Sequence, residues 1–97
     1  MNKTYRRIQA AKVTLDILEY LSGCKEPVTG ADVARMTGLP LGTVLCHLAT
    51  QEDAGYITSI GDRYKISMKL ALFWARMKSS KESDRERIDQ DLRHLGA

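Results

Sequence analysis

Apolar and small residues recur at helical spacing over the first part of the chain. Ile8, Ala11, Leu15, Leu18 and Ser22 follow the pattern, and Ile17 and Leu21 widen the stripe. The spacing predicts helix one from about Thr4 to Ser22, ended by Gly23. Cys24, Lys25 and Glu26 read as a short linker, and Pro27 disfavours helix in the residue before it. Thr29, with Asp32 three residues on, is a capping-box variant that opens helix two. Val33 and Met36 are its expected inward residues, and Gly38 its left-handed stop. Pro40 suits the first turn of helix three, where a missing N–H costs nothing. Val44, Leu48 and Gln51 point back to the core, with His47 at their edge. Gly55 ends that helix.

The period then changes. Tyr56, Ile57 and Thr58 begin one strand, and Tyr64, Lys65 and Ile66 form a second in which Tyr64 and Ile66 alternate as half-buried residues do. Gly61-Asp62 supplies the turn. Ser67 can cap a fourth helix through Leu70, Leu72, Phe73, Trp74 and Met77. A polar break is expected from Lys78 to Lys81. Ser83 with Glu86 then forms a second capping box for a last helix carrying the stripe Ile88, Leu92 and Leu95. The expected fold is mostly α with a small β-hairpin: a winged helix-turn-helix over residues 1–78 and a helical tail over 79–97, a possible dimerisation segment. The main known use of a winged helix-turn-helix is DNA binding, with the second helix of the motif in the major groove.

These elements carry a family resemblance. Leu15-Asp16-Ile17-Leu18-Glu19-Tyr20-Leu21 resembles the opening helix of IclR-type regulators. So do Gly38 to Ile57, with Thr43-Val44, Leu48-Ala49-Thr50, Glu52 and Gly55-Tyr56. Gly61-Asp62-Arg63-Tyr64-Lys65-Ile66 is similar to that family's wing, and Met68-Lys69-Leu70-Ala71-Leu72 to its next helix. The resemblance spans roughly Ile8 to Met77. It implies a winged-helix DNA-binding domain that dimerises on its operator. Family members continue into an effector-binding domain. This chain stops at Ala97, so the expectation is a form without that domain. The family also tends to place polar or basic residues where Leu41, Gly42, Leu45 and Cys46 stand here.

Charge placement sharpens this picture. The net charge is +3, and it is unevenly spread. Lys3, Arg6, Arg7 and Lys12 make the first dozen residues wholly basic. The segment from Val13 to Ile60 is acidic, and Gly61 to Lys78 is basic again through Arg63, Lys65, Lys69, Arg76 and Lys78. An arm and a wing of this kind flank a recognition helix and meet phosphates. Solvation of exposed chain ends is the plainer explanation of the same charges.

The candidate DNA-contacting set is Arg6, Arg7, Thr29, Pro40, Leu41, Gly42, Thr43, Cys46, His47, Arg63 and Lys65. Helix three has no charged side chain from Leu39 to Gln51. It therefore lacks the arginine–guanine pairs that discriminate most strongly among bases. Thr43, Cys46, His47 and Thr50 offer hydroxyl, imidazole or methyl contacts, and Leu41 and Leu45 can touch thymine methyls. Each has a plainer role. Thr43 can simply sit near a helix start, and His47 can be an edge-of-core residue. Tyr5 can follow a minor groove or pack under helix one, and Phe73 and Trp74 can be core or dimer contacts.

The remaining inventory excludes more than it adds. Cys24 and Cys46 lie in different elements, which argues against a secreted disulfide framework. His47 beside Cys46 has no second pair at zinc spacing, so no metal or other cofactor is expected. There is no glycine-rich phosphate loop and no nucleophile–base arrangement, so an enzyme is not expected. No apolar run reaches a membrane span and no signal peptide is visible, pointing to a cytoplasmic protein. The expected partners are double-stranded DNA and a second copy. The alternative is a protein-interaction or assembly module, its partner held by the uncharged face of helix three.

Overall fold

The computed structural model describes residues 4–96, with side chains to His94. Lys3 of the basic arm and the Leu95 side chain of the tail stripe lie outside the described residues. The element order is α1 (Gln9–Ser22), β1 (Val28–Thr29), α2 (Gly30–Thr37), α3 (Leu41–Asp53), β2 (Ile57–Ile60), β3 (Arg63–Ile66) and α4 (Lys69–Gly96). The chain divides into two compact units, Met1–Ser67 and Met68–Ala97. The first is a winged helix, mostly α with a small antiparallel sheet. The second holds α4.

The core of the first unit is Ile17, Leu21, Val33, Val44, Leu48 and Ile57. They come from α1, α2, α3 and β2, so one apolar cluster joins the three helices to the wing. The phase of α1 differs from the expected stripe. Ile17 and Leu21 are its buried residues, while Ile8 and Leu15 are 73% and 64% exposed. Val13 and Leu18 pack at the rim of the core. Helix one also starts at Gln9, not near Thr4. Residues 4–8 are exposed and Ile8 makes no side-chain cap. Short helices are held mainly by a buried face, and residues 4–8 bury none.

Helix two follows its expected cap. The Thr29 hydroxyl accepts from the Asp32 N–H at 3.1 Å, and Asp32 Oδ2 accepts from the Thr29 N–H at 3.0 Å. Gly38 ends the helix left-handed, with φ at 74°. Met36, expected inward, is 44% exposed. Val33 takes the buried position, and the smaller Ala34 packs beside it. Pro40 is the residue just before α3, and its carbonyl accepts from the Val44 N–H.

The wing has three strands where two were expected. The order is β1-β3-β2, all antiparallel. Val28 and Thr29 pair with Tyr64 and Arg63, and Ile57 pairs with Ile66. Two residues carry no readable period, so β1 has no signal of its own. Gly61 turns the hairpin with φ at 62°. The Glu52 carboxylate accepts from the Ser59 hydroxyl at 2.6 Å, fastening the hairpin to the end of α3.

Helix four runs unbroken from Lys69 to Gly96. The polar break at Lys78–Lys81 and the capping box at Ser83 are therefore corrected: both lie inside one helix. No proline interrupts the span, and its last residue is its first glycine. Serine costs only a few tenths of a kcal/mol in a helix interior. Arg87 and Asp84 pair across one turn, which supports continuity. Among the described residues no helix is long and apolar enough to cross a membrane.

Candidate nucleic-acid interface

Helix three is held on three sides. Val44, Leu48 and Gln51 face the core and are buried. On one flank, Leu41 and Leu45 lie over Gly30 of α2. A Cβ on Gly30 would meet Leu45 Cδ2 at 2.9 Å and Leu41 Cδ1 at 3.4 Å. Glycine there lets α2 and α3 approach, and it absorbs part of the apolar surface of both leucines. They remain 48% and 42% exposed.

The opposite flank meets α1. Thr14 Oγ1 and His47 Nδ1 are 2.6 Å apart, and Gln51 Nε2 donates to the Thr14 carbonyl at 2.9 Å. His47 is half-buried, as its edge position suggested. Thr14 was missed by reading the sequence. It is 33 residues from His47, and no local pattern encodes such a contact.

The outward face is what these anchors leave. Gly42, Thr43, Cys46 and Thr50 are exposed. Thr50 returns its hydroxyl to the Cys46 carbonyl at 2.8 Å, which lowers its polarity. No side chain on this face is larger than threonine, so an approaching surface meets the helix backbone closely. Pro40 is exposed at the start of the same helix.

The basic groups divide into held and free. Arg63 Nη1 donates to the Pro27 carbonyl at 3.3 Å, which ties the wing to the lead-in of β1. Lys65 is exposed on the same strand, and its side chain has no partner among the described residues. On the arm, Arg7 Nη1 donates to the Tyr5 carbonyl at 2.9 Å, and Arg6 is exposed. Tyr5 is 77% exposed and does not pack under α1. Lys12 is paired with Asp16 at 2.8 Å, and that carboxylate raises its pKa. Thr29 is half-buried with its hydroxyl engaged in the α2 cap. Among the candidates, then, Pro40, Leu41, Gly42, Thr43, Cys46 and His47 share one helix, Arg63 and Lys65 one strand, and Arg6 and Arg7 the extended arm.

The sequence profile of the IclR helix-turn-helix domain matches residues 10–61, more than half of the chain. The chain belongs to the IclR helix-turn-helix family. That match contains α2, α3, β1, β2 and all of α1 but Gln9, so the core and its helix-turn-helix motif lie within it. An IclR family transcriptional regulator from Brucella abortus has a similar fold, with a TM-score of 0.65 at 19% identity over 81% of this chain and 32% of its own. The repressor BlcR of Agobacterium tumefaciens is similar with a TM-score of 0.60 and 22% identity over 88% of this chain and 37% of its own. This IclR-type chain thus spans about a third of the length of those regulators. No curated protein matches it significantly.

Proposed function

We propose that this chain is a DNA-binding transcriptional regulator whose α3 lies in the major groove. One observation carries the reading: α3 is anchored on three sides while its fourth stays small and exposed. Thr43 and the residues beside it meet base edges. Lys65 and Arg63 on the wing, with Arg6 and Arg7 on the arm, neutralise phosphates. The role is regulatory and not catalytic, and the working compartment is the cytoplasm. Two copies pair through α4, whose Ile88 and Leu92 are exposed.

The test is fluorescence anisotropy with random and genomic duplexes at two salt concentrations. Binding that weakens with salt and differs between sequences is the expected result. Lys65→Ala lowers affinity on every duplex alike and shallows the salt slope by about one unit. Absence of binding at low salt refutes the reading.

The lack of charge on α3 from Leu41 to Gln51 favours one other reading, a protein-interaction module docking through Leu41 and Leu45. Leu45→Arg separates the two. On a DNA-reading surface the added cation is tolerated or strengthens non-specific binding. On a protein interface it abolishes the complex.

A further inference from the structure

Thr14 holds the one imidazole on α3 by a single ring nitrogen. Its hydroxyl lies 2.6 Å from His47 Nδ1. The Thr14 carbonyl is in turn gripped by Gln51, a 1% exposed residue of α3. These contacts fix both the backbone and the hydroxyl of Thr14 against the histidine ring. We propose that Thr14 is a positioning residue that sets the tautomer of His47, so that Nε2–H points outward as a hydrogen-bond donor to DNA. The proposal rests on the DNA-binding reading above and deepens it.

Two observations support the assignment. First, a hydroxyl has one hydrogen to donate. Thr37 and Thr50 donate theirs to the carbonyl four residues back in their own helices. Thr14 has no such bond, and His47 Nδ1 is its side chain's partner. Donation by the hydroxyl requires a lone pair on Nδ1, which leaves the proton of the neutral ring on Nε2. Second, Gln51 Oε1 is the one buried side-chain polar atom without a partner among the described residues. His47 Nε2 has no partner among the described residues and is not among their buried unsatisfied atoms, so it reaches solvent.

The chemistry of the complement follows. An outward N–H calls for an acceptor, and duplex DNA presents phosphate oxygens and the major-groove acceptors of purines. Cytosine and adenine amino groups would be rejected, because Nε2 has no lone pair to offer. On an α3 without lysine or arginine, this N–H is a directional donor that hydroxyl groups free to rotate do not replace.

The tautomer is read directly from ring nitrogen shifts in a long-range nitrogen–proton spectrum of the full chain, at alkaline pH where imidazole is neutral. Exposed His94 serves as an internal reference. The expected result is a His47 ring protonated at Nε2. Thr14→Val removes the hydroxyl at similar volume and mixes the tautomers, and Thr14→Ser restores them. In duplex binding, His47→Ala lowers affinity about three- to tenfold, the range of one hydrogen bond. Thr14→Val lowers it about twofold, and adds nothing once His47 is alanine. A uniform loss over all duplexes assigns the acceptor to phosphate, and a selective loss assigns it to a base. A wild-type ring protonated at Nδ1 overturns the proposal whatever the binding data. Unchanged affinity of His47→Ala, in a wild type that binds, overturns it too and leaves DNA binding standing. A wild type that binds no duplex overturns the DNA-binding reading itself, and the role of Nε2 with it.

Discussion

At Gly38 the backbone turns left-handed with φ at 74°, and a Cβ there would meet nothing within 4 Å. The demand for glycine is therefore conformational and not steric. Gly38→Ala should cost about 1 kcal/mol by urea denaturation, the penalty of a left-handed alanine. Asp32 shows a second residue-scale constraint. Its carboxylate accepts from the Thr29 backbone N–H and pairs with Arg35, and these contacts, the Thr29 bond foremost, hold its pKa below the usual aspartate value. The folded chain thus binds this proton less readily than the unfolded one. The stabilisation is complete above the ordinary aspartate pKa and fades as pH falls through the lower folded value. Asp32→Asn should remove that part of the acid sensitivity, seen as a flatter fall of Tm with decreasing pH. Both features were legible in the sequence because a cap needs only residues within four positions of each other. His47's partner was not, because Thr14 lies on another helix.

Among the elements, those with punctuation at both ends were the most legible. Helix two has its capping box and its stopping glycine, and it runs where the sequence placed it. Helix one has neither a side-chain cap nor a proline at its start. Its extent and its inward face were settled by contact with α3 and the wing. Helix four shows the opposite error, since serines and charges resembled a break that the backbone does not make. Continuity has a consequence for pairing. Ile88 stands 11 residues beyond Met77, which is just over three full turns. The two residues therefore share a face of α4, and both are at least half exposed. Substituting Ile88 and Leu92 together by Asp should convert a dimer to a monomer in sedimentation velocity, with helicity by circular dichroism little changed. A wild type already monomeric would remove the tail from the dimer proposal.

For the molecule as a whole, the core lies entirely in the unit ending at Ser67. A chain stopped after Ser67 should keep one cooperative urea transition, followed by far-ultraviolet circular dichroism because Trp74 is removed. Loss of that transition would show that α4 is needed for the first unit to fold. The sequence by itself determined the order of the first three helices and the hairpin after them, the wing turn, the capped start of α2 and the lack of charge in α3 up to Gln51. Each follows from residues close in the chain, where hydrophobic period and backbone preference act locally. The tertiary structure alone decided which face of α1 is buried, that Val28 and Thr29 form a third strand, and that Gly30 admits Leu41 and Leu45. It alone joined Thr14 to His47. Those outcomes depend on packing between segments distant in the chain, where a buried polar group must find its partner and an apolar face its cover wherever the fold brings them.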